Sequence, residues 1–300
     1  MILSRRRALL AGPAVVLAVA LGLAGCDASG GSPGPSQPEP TASPTPSGPA
    51  TGAPPRPRTE PGTGEYLAGL PVTVRLPRED PAAVVVLVPG GGWSRADPRW
   101  LAPLGEHLVS AGLAVVTITY GTSSTGTSWP VPADDVRCAV AYAAQEVPDV
   151  PVVVAGHSAG AHLSAVVGLV PEGTDAFCPY PARASDGVVG LAGPYDVSAT
   201  RGLAGNLFGV PEPEAPELWA QGNPVLLADR RPELPFLLVH GSEDELVGEQ
   251  FARGFEAALT AQGHPVELVV IEGATHGSVV QPDVVGDLVA EWVLTTVAAS

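Results

Sequence analysis

The chain has 300 residues, of which 45% are hydrophobic and only 5% aromatic, and its formal net charge is −16. A length of this kind fits one large domain or two small ones. The excess of 31 acidic over 15 basic residues argues against a nucleic-acid partner, because a basic surface is needed to neutralise phosphates.

The first 25 residues have the pattern of a bacterial export signal. Three arginines at positions 5–7 precede an apolar run over residues 8–23, and Leu-Ala-Gly-Cys ends at Cys26. The run is too short and too rich in Gly and Ala for a stable membrane helix. Its ending resembles a lipobox, which predicts a lipoprotein held on the outer face of the cell membrane through lipidated Cys26. The alternative is an ordinary signal peptide with an incidental cysteine, and the export route, general or twin-arginine, stays open.

Residues 26–65 are rich in Pro, Gly, Ser and Thr and contain almost no large apolar side chain. Such a segment cannot bury a core, so it is predicted to be a disordered tether. The folded domain is predicted to occupy residues 66–300, beginning at Tyr66.

From Tyr66 onward, apolar runs alternate with helical stretches. The runs lie at residues 71–76, 83–89, 114–120, 150–155, 187–192, 235–240 and 266–271. Most of them are apolar throughout, as strands buried on both faces are. The helical stretches lie at residues 99–111, 133–146, 159–170, 247–261 and 282–297, and Gly112 and Gly263 stand at C-cap positions. This alternation predicts an α/β fold, a doubly wound, mostly parallel sheet flanked by helices. Ligands bind beyond the carboxyl ends of the strands in such sheets.

A glycine-rich loop follows the run at 83–89, with the sequence Gly90-Gly91-Gly92-Trp93. Glycines let backbone N–H groups point into a pocket, where they can stabilise a developing oxyanion. We predict an oxyanion hole formed by N–H groups of these glycines together with the N–H of Ala159. The alternative is a merely flexible glycine loop.

A candidate nucleophile, Ser158, lies where the run at 150–155 gives way to a helix. It is the centre of Gly156-His157-Ser158-Ala159-Gly160. The pattern Gly-x-Ser-x-Gly is weak alone, since residues 30–34 of the tether match it too. A serine on a tight strand-to-helix turn is typical of a nucleophile with an exposed hydroxyl. The alternative is a simple serine N-cap.

A base and a carboxylate follow the last two strands. His276 lies on the loop after the run at 266–271, and Asp244 on the loop after 235–240. The order Ser158, Asp244, His276 is that of α/β-hydrolases, and a serine needs such a base with an orienting carboxylate. Rival side chains fit less well, although Glu243 and Glu245 compete as carboxylates. His157 and His162 flank the serine on its own turn and helix, so neither can easily face its hydroxyl. His240 is predicted to be structural, and His107 and His264 are predicted to lie on the surface.

Three motifs, PGGGW at 89–93, GHSAG at 156–160 and HGSED at 240–244, resemble those of the α/β-hydrolase superfamily. The likeness is to its hormone-sensitive-lipase-like and feruloyl-esterase-like carboxylesterase branch and runs from about residue 66 to 297. It implies a serine esterase that acts through an acyl-enzyme without metal or organic cofactor. The resemblance also implies that the oxyanion donors are Gly91, Gly92 and Ala159. One departure is Pro89, where the family usually has a histidine that braces the oxyanion loop.

A small cap is predicted between residues 193 and 235, short enough to leave an open pocket for a small acyl group. Trp93, Trp129 and Tyr195 are predicted to line this pocket, with core packing as the alternative. Cys138 and Cys178 are predicted to form a disulfide, as a cysteine pair does in an oxidising compartment.

The sequence therefore predicts a hydrolase of carboxylic esters, either small molecules or glycans, with no nucleic-acid partner. Two other functions are weighed against it. A serine peptidase of the prolyl-oligopeptidase type would need an extra domain for which the chain has no room. A non-catalytic binding protein on a hydrolase scaffold would normally lose a triad member, and this chain keeps all three.

Overall fold

The computed structural model describes residues 62–173 and 177–299. The predicted signal peptide, Cys26 and nearly all of the predicted tether lie outside these residues. Within them, one sheet is formed by eight strands: β1 (Gly62–Leu67), β2 (Leu70–Arg75), β3 (Val84–Val88), β4 (Ala114–Ile118), β5 (Val152–His157), β6 (Gly187–Leu191), β7 (Phe236–Gly241) and β8 (Val266–Ile271).

The strand order across the sheet is β1-β2-β4-β3-β5-β6-β7-β8. Strand β2 runs antiparallel to both of its neighbours, and the pairs from β4 to β8 are parallel. The central strands carry Val-rich sequences that are buried on both faces, as strands covered by helices on each side must be. The predicted fold class, a mostly parallel sheet flanked by helices, is confirmed.

Helices cover both faces of the sheet. Alternate residues of β3 point in opposite directions, so that Val84 and Val86 join one core and Val85 and Leu87 the other. The α-helices of the described ranges are α1 (Ala102–Ser110), α2 (Val131–Glu146), α3 (Ala159–Leu169), α4 (Gly205–Phe208), α5 (Pro216–Gln221), α6 (Gln250–Gln262) and α7 (Asp287–Trp292). The first core is closed by α2, α3 and α6, and the second by α1 and α7.

Both predicted glycine caps are present. Gly263 ends α6 at φ 90°, and Gly112 follows α1 at φ 91°, the left-handed conformation that closes helices. The short helices α4 and α5 lie in the segment predicted as a small cap.

The start of the folded part differs from the prediction. Strand β1 begins at Gly62, four residues before Tyr66, and pairs with β2, so residues 62–65 belong to the sheet and not to the tether. The strand was missed because its first four residues are exposed at the sheet edge and its sequence, Gly-Thr-Gly-Glu, has no apolar member.

The predicted disulfide is present and joins Cys138 of α2 to Cys178, in the segment between α3 and β6. No helix in the described part of the chain combines the length and the hydropathy needed to cross a bilayer.

Candidate active site

Ser158 occupies a strained turn between β5 and α3, at the centre of the sheet. Its backbone has φ 53° and ψ −120°, which is rare for a residue with a side chain and persists only where the surroundings enforce it. Two glycines make the turn feasible. A Cβ on Gly156 would overlap the backbone of Gly160, and a Cβ on Gly160 would overlap the carbonyl of Val88.

The glycine-rich loop after β3 passes directly against the serine. A Cβ placed on Gly90 would lie 2.9 Å from the Cβ of Ser158, so only glycine allows this approach. The next three residues, Gly91, Gly92 and Trp93, have φ of 136°, 59° and 56°. These positive φ values turn the backbone sharply beside the serine.

Carbonyl groups of this loop accept hydrogen bonds that hold the loop in place. The carbonyl of Gly91 accepts from the N–H of Ser94 at 3.2 Å, and that of Gly92 accepts from Nδ2 of Asn206 at 3.1 Å. By contrast, the N–H groups of Gly91, Gly92 and Ala159 donate to no residue that the structure describes. The structure thus leaves donors of two elements available beside Ser158, as an oxyanion hole requires.

Asp244 and His276 form a hydrogen-bonded pair beyond the ends of β7 and β8. The distance from Nδ1 of His276 to Oδ2 of Asp244 is 2.7 Å, and the Asp244 side chain is fully buried. Its Oδ1 accepts from the N–H groups of Leu246 and Val247 at 2.9 and 2.8 Å. Burial alone would raise the pKa of Asp244, but the hydrogen bonds from His276 and the two backbone groups outweigh it and hold that pKa below its ordinary value.

The base loop is attached to the nucleophile turn through His157. Nε2 of His157 donates to the carbonyl oxygen of His276 at 2.9 Å, and the two rings lie 4.6 Å apart. Burial and the nearby His276 ring lower the pKa of His157 to about 4, so its ring is neutral near pH 7. The three residues predicted as a triad therefore come from three strand ends that meet at one edge of the sheet.

The rival side chains take structural positions. His240 is buried, and its Nε2 donates to the carbonyl of Val247 at 2.7 Å, which holds the loop that carries Asp244. Glu243 and Glu245 are exposed, and neither has a hydrogen bond to His276 among the described residues. The prediction that His264 lies on the surface is wrong: it is 5% exposed and bonds the carbonyls of Leu234 and Ala228.

The structure does not support the three aromatic residues predicted to line the pocket. Trp93 and Tyr195 are each 1% exposed, and Trp129 is 9% exposed in an aromatic cluster with Phe208. Tyr195 stacks on Phe255 of α6 with ring centroids 4.5 Å apart. An aromatic residue beside a site motif can line a pocket or pack in the core, and these three residues pack in the core.

An open cleft of about 490 Å³ lies beside the acid loop. Its walls come from the loop at 244–248, the start of α6 and the cap turn at 199–203. Leu203 connects the cleft to the oxyanion loop, since a Cβ on Gly92 would lie 3.8 Å from its Cδ1. The cleft is both polar and apolar, with Leu246 and Phe251 beside Arg201 and Glu245.

Sequence reasoning missed several residues that hold the site. Asn206 and Tyr120 donate to carbonyls of the glycine-rich loop, and buried His162 accepts from the indole of Trp93. Asp135 of α2 accepts from the N–H of Gly121 at 2.8 Å. No local signal marks these partners, because each contact joins segments far apart in the chain.

Comparison with known proteins gives a consistent picture. The BD-FAE family model matches residues 72–259. Esterase LipC of Mycobacterium tuberculosis is 31% identical over 226 residues, which are 66% of this chain and 53% of that protein. Esterase LipQ of the same organism is 29% identical over 200 residues, which are 61% of this chain and 47% of that protein. The chain thus spans about half the length of the curated relatives it matches.

Solved structures share the fold at low sequence identity. A truncated carbohydrate esterase from gut microbiota has a TM-score of 0.68 at 19% identity, covering 80% of this chain and 96% of that one. Esterase 2 of the planctomycete Thermogutta terrifontis, with butyrate bound, has a TM-score of 0.64 at 20% identity, covering 78% of this chain and 93% of that one.

Proposed function

The chain belongs to the BD-FAE family, in the hormone-sensitive-lipase-like and feruloyl-esterase-like branch of the α/β-hydrolases, and from this premise we propose that it hydrolyses carboxylic esters. The observation that carries the proposal is the arrangement at one sheet edge. The 2.7 Å bond between His276 and Asp244 lies beside the strained turn of Ser158, and the N–H groups of Gly91 and Gly92 donate to no described residue.

The geometry supports a two-step reaction. Oγ of Ser158 attacks the acyl carbon while Nε2 of His276 takes the hydroxyl proton, because Nδ1 is engaged by Asp244. The carbonyl oxygen becomes an oxyanion held by the free backbone N–H groups. His276 then gives this proton to the alcohol oxygen as the carbon–oxygen bond to the alcohol breaks, which leaves the acyl group on Ser158. Water attacks that acyl carbon while His276 takes a proton from it, and return of the proton to Oγ of Ser158 releases the acid.

The proposed substrates are small-molecule or glycan esters with a short acyl group. The open cleft beside the acid loop supports access by a bulky alcohol, since only a short cap covers this end of the sheet. The fold neighbours include a carbohydrate esterase and an esterase with bound butyrate, which is in keeping with such substrates.

Ester hydrolysis can be tested with p-nitrophenyl esters of increasing chain length, acetylated xylan and short peptides. We expect turnover of short-chain esters, and Ser158→Ala should lower kcat by up to roughly a millionfold. Ser164→Ala is a matched control on the same helix, because its buried hydroxyl has no hydrogen-bond partner in the described residues. Cleavage of peptides but not esters, or sizeable activity in Ser158→Ala, would contradict the proposal.

We further propose that the enzyme is an exported lipoprotein anchored through Cys26. Support comes from the sequence at residues 1–26, which lies outside the described residues. A diacylglyceryl group on the cysteine supplies two chains, which anchor stably where one does not. Membrane fractionation should find Cys26→Ser uncleaved or released, whereas Ser29→Ala should stay attached. Normal lipid attachment of Cys26→Ser would refute the lipoprotein.

A further inference from the structure

An oxyanion hole built from two elements needs something to fix their separation. Here Gly91 and Gly92 lie on the loop after β3, and Ala159 is the first residue of α3. Rate enhancement by such donors depends on their being preorganised around one point. A non-covalent cross-link, such as a hydrogen bond between the loop and the helix, would fix the distance between these donors.

The structure contains such a cross-link between Trp93 and His162. Nε1 of Trp93 donates to Nδ1 of His162 at 3.2 Å, and the two rings meet edge to face with centroids 5.2 Å apart. Trp93 is the residue after Gly92, and His162 lies one turn into α3, where its N–H bonds the carbonyl of Ser158 at 3.1 Å. The contact therefore joins the two elements that supply the oxyanion donors.

The other ring nitrogen of His162 extends the link to the cap. Nε2 lies 2.7 Å from the carbonyl oxygen of Gly222, which directly follows α5. A carbonyl can only accept, so Nε2 carries the proton and Nδ1 is left to accept from the indole. Burial lowers the pKa of His162 to about 4, which agrees with a neutral ring in this tautomer.

Backbone strain explains why the loop needs an anchor at this residue. Trp93 has φ 56°, unusual for a residue with a bulky side chain, and follows two glycines that also have positive φ. Such conformations persist when the surroundings over-determine them. The Trp93 side chain is 1% exposed, and among the described residues its one hydrogen-bonding group is satisfied by His162.

We propose that His162 is a positioning residue for the oxyanion hole, which holds the glycine-rich loop in register with α3 by accepting the indole N–H of Trp93. The inference rests on the proposed ester hydrolysis. It assigns no contact with substrate to His162. Its effect on catalysis passes through the backbone N–H groups of Gly91 and Gly92.

The test compares three variants with the parent enzyme. His162→Leu removes both hydrogen bonds, and His162→Asn retains an acceptor close to the position of Nδ1. Trp93→Phe removes the indole donor but keeps an aromatic ring in the core. His264→Leu is a matched control, because it too removes a buried histidine that makes two hydrogen bonds. Both partners of His264 are backbone carbonyls, and it lies away from the site.

Three quantities should be measured, with the concentration of active serine titrated by a fluorophosphonate. They are kcat, expressed per active serine, and KM for p-nitrophenyl acetate, and Ki for an alkyl trifluoromethyl ketone, which forms an oxyanion in the hole. His162→Leu should lower kcat by roughly a hundredfold, which is the effect expected when a catalytic group is displaced by about 1 Å. It should weaken binding of the ketone by a similar factor. KM should change little. His162→Asn should recover part of the lost kcat, and Trp93→Phe should lower kcat by about tenfold.

A merely structural role gives a different result. In that case His162→Leu would be less stable and have a smaller fraction of active serine, as is expected of His264→Leu. Its kcat per active serine and its Ki for the ketone would stay at parental values. That outcome overturns the inference, and Trp93→Phe decides in the same way if His162→Leu fails to fold. A parent that hydrolyses no ester would instead contradict the proposed function and, with it, the inference.

Discussion

The hydroxyl of Tyr120 donates a hydrogen bond of 3.0 Å to the carbonyl oxygen of Pro89, at the point where β3 ends and the glycine-rich loop begins. The family resemblance of the sequence leads us to expect a histidine that braces the loop at this position, and the chain has Pro89 there instead. Proline fixes its own φ and has no N–H to donate. In this protein the start of the loop is thus held from outside, by a buried tyrosine that follows β4.

Tyr120→Phe should weaken both stability and catalysis. It leaves the Pro89 carbonyl without this buried donor, which should cost about 1–3 kcal/mol of unfolding free energy, and it should lower kcat because the loop is less constrained. Tyr180→Phe is the control, since the Tyr180 hydroxyl donates to the carbonyl of Tyr66 at 2.8 Å, away from the site. Urea titration and steady-state kinetics check this, and equal kcat values for both variants would show that Tyr120 does not brace the loop.

Gly91→Val should damage the oxyanion hole without affecting the triad. Gly91 has φ 136°, and a Cβ there would collide with the backbone carbonyl of Arg95. We expect kcat to fall by roughly 10²–10³, the scale of one lost oxyanion donor. Ser158 should still be labelled by a small fluorophosphonate, although more slowly.

The matched control for Gly91→Val is Gly112→Val. Gly112 also has a left-handed backbone, with φ 91°, but open space around it and a place at the amino end of β4, opposite the site. This variant should lose stability and keep its turnover. Near-normal turnover by a folded Gly91→Val protein would place the oxyanion donors elsewhere.

The Cys138–Cys178 disulfide should stabilise the domain mainly by restraining the unfolded chain. It joins residues 40 positions apart, for which the chain-entropy relation gives about 4 kcal/mol. The double variant Cys138→Ala/Cys178→Ala should lose free energy of unfolding on that scale, measured by denaturant titration at pH 7. Mass spectrometry of the alkylated, unreduced protein should find no modified thiol at either position, and two modified thiols would refute the bridge.

Acid should destabilise the protein through the two buried histidines His157 and His162. Burial lowers the pKa of each histidine from an ordinary 6.5 to about 4. Between these values the unfolded chain binds protons that the folded protein does not, so stability falls as pH drops from about 6.5 to about 4. Each histidine adds a slope of at most about 1.4 kcal/mol per pH unit.

Urea titrations at pH 7.5, 6 and 5 measure that slope. His162→Asn, which cannot take up the proton, should show a shallower dependence on pH than the parent over this range. Parallel curves for parent and variant would mean that His162 is not the group responsible.

The three residues proposed as the catalytic triad could be predicted from the sequence because of their positions relative to the strands. Ser158 directly follows β5, and Asp244 and His276 lie on the loops after β7 and β8. The carboxyl ends of parallel strands meet at one edge of the sheet whatever the detailed packing. The glycine pattern around Ser158 is also local, since the turn itself demands residues without a side chain. The fold class, likewise, follows from the alternation of runs along the chain.

Tertiary structure alone decided what holds those residues in place. The bonds from Tyr120 to Pro89, from Trp93 to His162 and from Asn206 to Gly92 span 31, 69 and 114 residues. Each depends on the rotation and approach of two elements, which hydrophobic periodicity does not encode. For the same reason the sequence could not place His264 or Trp93: a side chain that is both apolar and polar suits the surface, a pocket or the core, and only the packing around it selects one.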